Sequence, residues 1–263
     1  MKNNTLGIIL WLHTLIVGVM GLALFIFPAV GGVWPWPLPP LAARFVGSLL
    51  IGAAINTGLT AAARDDQPTV GALLMGLILY GLIALTGVLG AGEIGLTPPL
   101  LIWIGIFAGM SLLAGALLAA RAGAPLDRAG ARPQSRFLRW LLALDLLLVA
   151  PVGLLMYFAP VVARSYWPWD LPPINVRLIG SIFVATMALS FWGLRQRTWE
   201  QVKPSVAAGG TFATLALIAS FLHFSLFKPD RLLTWLFIAL YAFVAAGSWL
   251  AMGQYARGRR LAS

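Results

Sequence analysis

The sequence predicts an all-α integral membrane protein with eight transmembrane helices, arranged as two tandem, parallel-related four-helix repeats with both termini cytoplasmic. Three observations indicate this fold: the composition, eight long apolar stretches, and a motif that occurs twice. Of the 263 residues, 60% are hydrophobic and only 10% are charged, whereas soluble domains carry about 25% charged residues. Cysteine is absent, which excludes disulfides, thiolate metal sites and cysteine nucleophiles.

Each of the eight apolar stretches is long enough to cross the hydrocarbon core, which takes about 20 residues. The stretches are continuous rather than alternating, so they favour helices over the strands of a membrane barrel. The first stretch follows Lys2, as in a signal peptide, but it exceeds the usual apolar core of about 7–15 residues. We therefore expect it to be retained. The predicted spans are 7–28, 41–62, 70–90, 99–120, 137–159, 175–194, 205–226 and 231–253.

Basic residues are divided unequally between the two sides of the predicted bundle. The side that carries both termini holds 13 of the 18 basic residues, including those of the long central linker. By the positive-inside rule this side is cytoplasmic, and the linker is expected to contact anionic lipid headgroups rather than nucleic acid. The opposite side holds Arg44, Arg164, Arg177, Lys228 and Arg231.

A repeated motif indicates that the chain is an internal duplication. Residues 34–48 read WPWPLPPLAARFVGS and residues 167–181 read WPWDLPPINVRLIGS, so that nine of fifteen positions are identical at a constant spacing of 133. Four spans per repeat is an even number, which predicts a pseudo-two-fold axis along the membrane normal. The predicted division is 1–122 for the first four-helix repeat, 123–135 for a cytoplasmic basic linker and 136–263 for the second repeat.

The repeated motif places tryptophans and prolines between the first and second spans of each repeat, on the outer side. Tryptophan favours the headgroup level, and the paired prolines suit the start of the next helix, so an interfacial cap is one interpretation. Arg44 and Arg177 follow in the first turns of that helix, where a cation is unfavourable. Loop carbonyls or nearby carboxylates could compensate them, or a bound anion or lipid phosphate. The predicted anion or lipid site comprises Arg44, Arg177, Trp34, Trp36, Trp167 and Trp169.

Two ionisable residues inside the spans coincide in the repeat. His13 in the first span aligns with Asp145 in the fifth at a spacing of 132, and ionisable groups within spans are candidates for function. They are predicted to form an intramembrane polar pair, which would serve either as a proton relay or as a structural contact. The alternative is that the two groups reach cytoplasmic water separately. His223 lies near the opposite side, so it and His13 cannot ligate one haem between them. No cofactor and no metal are predicted.

The motif W-P-W-x-L-P-P followed by R-x-x-G resembles that of uncharacterised bacterial polytopic membrane proteins. The four-helix unit is also loosely similar to DoxX-like membrane proteins, which have an arginine and a glycine early in the second helix. Here the corresponding residues are Arg44 with Gly47 and Arg177 with Gly180. The resemblance implies a multi-pass protein of the bacterial cytoplasmic (inner) membrane and carries over no catalytic residue.

These observations favour a non-catalytic membrane subunit or scaffold that binds lipid or partner membrane proteins. The sequence contains no P-loop, H-E-x-x-H or G-x-S-x-G motif, so no enzyme activity is expected. The alternative is a small proton-coupled transporter or permease for an anionic or amphipathic solute, with the two arginines attracting the anion and His13 and Asp145 coupling protons. A membrane enzyme acting on lipid or quinone has almost no supporting residues.

Overall fold

The computed structural model describes residues 4–63, 68–121 and 131–260, with side chains as far as residue 256. Within these residues, eight helices are long and apolar enough to cross a membrane, as predicted, and the chain is a polytopic membrane protein. Short helical segments occupy Pro28–Val33, Phe224–Leu226 and α6 (Pro160–Tyr166). The eight long helices are α1 (Asn4–Ile26), α2 (Pro40–Ala62), α3 (Thr69–Ile94), α4 (Pro98–Ala119), α5 (Arg136–Phe158), α7 (Pro173–Arg195), α8 (Trp199–Leu222) and α9 (Leu232–Arg260).

Proline, glycine and threonine account for several of the helix boundaries. Pro40 and Pro173 occupy the first helical position, where the missing N–H costs nothing. Gly95 ends α3 with φ of +84°, a conformation that favours glycine. Two boundaries differ most from the predicted spans. Helix α9 continues to Arg260 rather than ending at 253, and α8 begins at Trp199 rather than after Pro204. A capping box formed by Thr198 and Gln201 starts this helix earlier.

Helices α1 and α2 form one antiparallel hairpin, and α5 and α7 form another. Both cross at glycines where no side chain fits. A Cβ added to Gly47 would lie 2.7 Å from the backbone nitrogen of Phe25, and one added to Gly180 would lie 2.7 Å from that of Tyr157. Helices that pack in lipid approach closely where small residues meet, so these glycines fix the two crossings.

The hairpins of the two halves of the chain are interleaved. Helix α2 packs on α8 and α3 packs on α7, whereas α2 and α3, although consecutive, contact each other far less. Gly52 and Gly71 allow the close approaches, since an added Cβ would meet the carbonyl oxygen of Ala208 at 3.1 Å and the ring of Trp192 at 2.7 Å. The division at 1–122, 123–135 and 136–263 stays a prediction, and 123–130 of the linker lie outside the described residues.

The helix ends form two opposite faces. We name the face that holds Arg132, Thr198 and Tyr255 the terminal face, and the face that holds the two W-P-W segments the tryptophan face. On the terminal face, Arg132 forms an ion pair with Glu200 at 3.0 Å and donates to the Tyr255 carbonyl oxygen at 2.7 Å. These contacts join the end of the linker to α8 and α9. The assignment of this face to the cytoplasm stays a prediction.

Candidate functional site

On the tryptophan face, the first W-P-W segment is tied to the second half of the chain. The indole N–H of Trp36 donates a 2.7 Å hydrogen bond to Oδ1 of Asn175, which is fully buried in α7. The Asn175 amide donates in turn to the carbonyl oxygen of Pro37 at 3.2 Å. Three of the four motif tryptophans, Trp36, Trp167 and Trp169, are buried, and Trp34 is half-buried.

Among the described residues, the tryptophan of the second W-P-W segment that corresponds to Trp36 makes no equivalent hydrogen bond to the other half of the chain. At the spacing of the repeat, the counterpart of Asn175 is Ala42, which has no side-chain acceptor. The buried indole N–H of Trp169 accordingly has no hydrogen-bond partner in the described part of the chain. Its ring packs against Phe227 at a centroid distance of 4.9 Å. The buried tryptophans thus fill space between helices and leave their N–H groups away from the surface.

Arg44 and Arg177 are held in the same way. Nε of Arg44 donates to the carbonyl oxygen of Phe25 at 3.0 Å, and Nε of Arg177 donates to that of Tyr157 at 3.2 Å. Phe25 and Tyr157 lie in the last turns of α1 and α5, where carbonyls lack helical partners and the helix dipole favours a cation. Each arginine is unfavourable at the start of its own helix, and the end of the preceding span compensates it.

Arg44 also contacts the end of α8. Its Nη1 donates to Nε2 of His223 at 2.5 Å. Burial, and then the positive charge of Arg44, lower the pKa of His223 below its usual value, so the imidazole is neutral and can accept. Among the described residues, no hydrogen bond joins Arg44 to Arg177, and neither arginine forms an ion pair with a carboxylate. The two arginines therefore occupy separate positions, each beside its own hairpin.

His13 and Asp145 lie in separate hydrogen-bonded groups. Nδ1 of His13 lies 3.1 Å from the hydroxyl of Thr57 and Nε2 lies 2.5 Å from that of Tyr80. Asp145 accepts a 2.6 Å hydrogen bond from Ser190. Thr57 and Ser190 are 133 residues apart, so each ionisable group contacts a hydroxyl on the second span of its own half. Within the described ranges, no hydrogen bond or ion pair joins His13 to Asp145, because α1 packs on α2 and α5 packs on α7.

A groove of about 500 Å³ lies between α5 and α9 on the outside of the bundle. Its walls are apolar side chains of α5 between Leu144 and Leu155 and of α9 between Leu233 and Phe243. The two helices meet closely nearer the terminal face, where a Cβ added to Gly247 would lie 2.6 Å from the side chain of Leu141. The groove therefore opens where α5 and α9 separate toward the tryptophan face. We name it the α5–α9 groove.

Basic residues lie near the end of the α5–α9 groove at the tryptophan face, outside its described wall. Tyr166, Trp167 and Pro168 line that end, and Nη1 of Arg231 donates to the Trp167 carbonyl oxygen at 2.7 Å. A hydrogen bond from Lys228 and the charges of the neighbouring basic groups hold the pKa of Asp170 below its usual range. The basic residues of this cluster are Arg164, Lys228 and Arg231.

No protein-family model, no curated protein and no solved structure matches this chain. The resemblance to DoxX-like proteins stays a prediction, and the functional conclusion rests on the geometry. Of the predicted anion or lipid site, Trp167 lines the α5–α9 groove. Sequence reasoning missed the groove itself. Only the basic residues near its end, which the sequence predicts to lie on the outer side, gave a signal.

Proposed function

We propose that this chain is a non-catalytic subunit or scaffold of the bacterial inner membrane that binds an anionic phospholipid in the α5–α9 groove. The observation that carries the proposal is an apolar groove that opens to the lipid-facing surface and ends at a cluster of basic residues. Acyl chains and phosphate groups have the matching chemistry. The lipid would be a structural ligand at a surface where partner membrane proteins assemble, since no catalytic group is assigned to the groove.

The length of the groove suits one acyl chain of one leaflet. Leu144 and Leu155 are 11 positions apart, or about 16 Å at a rise of roughly 1.5 Å per residue. The hydrocarbon core of a bilayer is about 30 Å thick, so the groove matches half of it. A chain lying between α5 and α9 would cover leucine, valine and phenylalanine side chains, with its headgroup at the tryptophan face.

The charges at the end of the groove favour an anionic headgroup. Arg164 is exposed and half-buried Arg231 uses Nη1 for the Trp167 carbonyl. No described carboxylate forms an ion pair with either guanidinium, so both have donors for phosphate oxygens, which planar guanidinium groups bind well. Basic residues beside a hydrophobic surface are typical of phospholipid sites.

Repeated contacts support the two-repeat, parallel arrangement, and the excess of basic residues on the terminal side supports cytoplasmic termini. Arg44 and Arg177 donate to equivalent carbonyls, and the hairpins cross at glycines in equivalent positions, among them Gly47 and Gly180. Under this arrangement the tryptophan face lies on the outer side. The phospholipid in the groove would then come from the outer leaflet of the inner membrane.

Native mass spectrometry of the protein in nanodiscs tests the lipid site. The discs contain equal parts of phosphatidylglycerol and phosphatidylethanolamine, and the released protein is expected to retain one phosphatidylglycerol. Replacing both Arg164 and Arg231 by glutamine should lower the retained fraction several-fold, because the phosphate loses its guanidinium donors. Ala239→Trp should also lower it, because Ala239 is exposed and lines the groove, so the indole would occupy the space of the acyl chain.

Two matched variants serve as controls. Arg195→Gln removes an exposed guanidinium at the terminal end of α7, and Ala116→Trp places an indole on the exposed surface of α4. Both variants are expected to retain the lipid. Equal retention of both lipids by the native chain, or unchanged retention in both Ala239→Trp and the double arginine variant, would contradict the proposed site.

The transport alternative has less support from the geometry. It requires Arg44 and Arg177 to attract an anion beside a proton-coupling pair. The arginines instead donate to helix-end carbonyls, and His13 and Asp145 belong to separate hydrogen-bonded groups. Anion flux into vesicles that is lost on joint replacement of Arg44 and Arg177 by alanine would favour transport over the scaffold.

A further inference from the structure

A second, smaller cavity lies inside the bundle, where helices from both halves of the chain meet. Its volume is about 130 Å³, and residues of α2, α5, α7, α8 and α9 form most of its wall. An apolar cavity of about 150 Å³ in another protein binds benzene, so this space has room for a small organic molecule. The cavity adjoins the α5–α9 groove, since Phe183 and Leu240 line both. Asp145, Asn56 and Tyr241 line the cavity and not the groove.

Three buried polar side chains in the wall have unused hydrogen-bonding capacity. Asp145 is 8% exposed and accepts from Ser190 through Oδ2 alone, which leaves Oδ1 without a partner among the described residues. Oδ1 of Asn56 and the hydroxyl of Tyr241 are buried and have no hydrogen-bond partner in the described part of the chain. Asn56 is 3% exposed and Tyr241 is 4% exposed. Buried polar atoms are rarely left unsatisfied in native proteins, and the atoms of Asn56 and Tyr241 belong to residues of the cavity wall, where a ligand can supply the missing partners.

The side chains that line the cavity favour a cation as its ligand. The three unpartnered oxygen atoms include two that only accept hydrogen bonds, and no Lys, Arg or His side chain belongs to the described wall. An uncompensated carboxylate inside a membrane protein is costly, and such groups are normally paired. The rest of the wall is mostly apolar and aromatic, apart from the hydroxyl side chains of Thr186, Ser190, Ser205 and Ser248. It includes Phe212 and Trp192, whose rings attract an ammonium group and whose surfaces suit a short alkyl chain.

In the first half of the chain, the residue equivalent to Asp145 has a hydrogen-bond partner at each of its polar atoms. There His13 occupies the position of Asp145 and Thr57 that of Ser190, and the second ring nitrogen of His13 contacts the hydroxyl of Tyr80. In the second half no described side chain completes the group around Asp145. Tyr80 on a neighbouring helix completes the group of His13, whereas Asp145 lines the cavity instead.

We propose that this cavity is a binding site for a small organic cation, such as a short-chain primary amine in its ammonium form. The ammonium group would donate to Oδ1 of Asp145 and to Oδ1 of Asn56. The Tyr241 hydroxyl would accept its third hydrogen bond. The alkyl chain would contact the apolar wall between α7 and α8.

The test uses the full-length protein in phosphatidylcholine nanodiscs, whose headgroups carry no net charge. Binding of n-propylammonium, which has four non-hydrogen atoms, is followed by saturation-transfer NMR, with 1-propanol as the neutral probe of the same shape. The native chain should bind the ammonium saturably and the alcohol far more weakly. Asp145→Asn should weaken ammonium binding at least about thirtyfold, since loss of one partner of a buried charge pair is that costly.

A second variant fills the cavity without altering its carboxylate. Gly209 lines the cavity, and a Cβ added there would meet no atom within 4 Å, so Gly209→Leu should exclude the probe and leave the Asp145–Ser190 hydrogen bond intact. Gly105→Leu is the matched control, because Gly105 lies on α4 and its added Cβ also meets nothing within 4 Å. This control should bind n-propylammonium as the native chain does.

Several results would overturn the proposal. Equal affinity for n-propylammonium and 1-propanol would mean that the cavity is only an apolar space and that Asp145 is protonated. Absence of saturable binding to the native chain would mean that water molecules satisfy the three oxygen atoms. If Asp145→Asn does not fold, Gly209→Leu decides the matter, and unchanged ammonium binding to Gly209→Leu would locate the probe elsewhere.

Discussion

Replacing Gly47 by alanine should destabilise the α1–α2 hairpin. The added Cβ would lie 2.7 Å from the backbone nitrogen of Phe25 and 2.8 Å from the carbonyl oxygen of Gly21, whereas non-bonded carbon contacts need about 3.5–4.0 Å. Both atoms belong to the backbone, so a whole segment of α1 must move. Overpacking costs up to about 3 kcal/mol, and the better helix propensity of alanine returns about 1 kcal/mol. The expected net loss in the free energy of unfolding is about 2 kcal/mol.

The free energy of unfolding is measured by SDS titration in mixed micelles with tryptophan fluorescence as the readout. Gly105→Ala is the matched control, since its added Cβ meets no atom within 4 Å, and it should be as stable as the native chain or gain up to about 1 kcal/mol. Gly180→Ala should lose as much as Gly47→Ala, because its added Cβ lies 2.7 Å from the backbone nitrogen of Tyr157. If Gly47→Ala is as stable as Gly105→Ala, the packing argument is wrong.

Two further predictions concern the tryptophan face. Trp36→Phe should cost about 1–3 kcal/mol more than Trp169→Phe in the same unfolding assay. Of these two tryptophans, Trp36 alone donates to a described side chain, and its loss leaves Oδ1 of buried Asn175 without that partner. Equal losses in the two variants would contradict this role of Trp36. His223 has a pKa lowered from its usual 6.5 by burial and by Arg44, so the unfolded chain binds this proton more readily. Stability should therefore fall as the pH drops below 6.5 toward the folded-state pKa, and His223→Gln should show a smaller fall between about pH 8 and about pH 5. An identical fall in stability in the native chain and in His223→Gln would refute the effect assigned to His223.

The spans and their approximate limits followed from the sequence because each depends only on local composition. Pro40 and Pro173 begin helices as the motif predicted. The start of α8 is predicted wrongly from the sequence, because Pro204 indicates a helix boundary. The capping box of Thr198 and Gln201, which starts the helix, lies outside the apolar stretch that marks the span.

The order in which hairpins pack could not be predicted from the sequence. Contact of α2 with α8 and of α3 with α7 depends on small residues such as Gly52 and Gly71 finding their partners across the bundle. Apolar patterning gives little guidance here, because lipid-facing and protein-facing surfaces of these helices are similarly hydrophobic. Both the α5–α9 groove and the cavity beside Asp145 result from this packing order.

The candidate residues illustrate the same limit. The spacing of the repeat drew attention to Arg44 and Arg177, and the structure shows both donating to helix-end carbonyls. It also drew attention to His13 and Asp145, but equivalent positions in two repeats need not be neighbours. Thr57 and Ser190 contact them instead, and neither hydroxyl was identified, because serine and threonine are common within membrane helices.

Photo-crosslinking from within the bilayer tests the lipid site most directly. A phosphatidylglycerol with a diazirine on its acyl chain is activated in nanodiscs, and modified peptides are located by mass spectrometry. We expect most adducts on α5 between Leu144 and Leu155 and on α9 between Leu233 and Phe243, and a marked reduction there in Ala239→Trp. Adducts spread evenly over the exposed surfaces of α1 and α4 as well, unchanged by that substitution, would contradict the account.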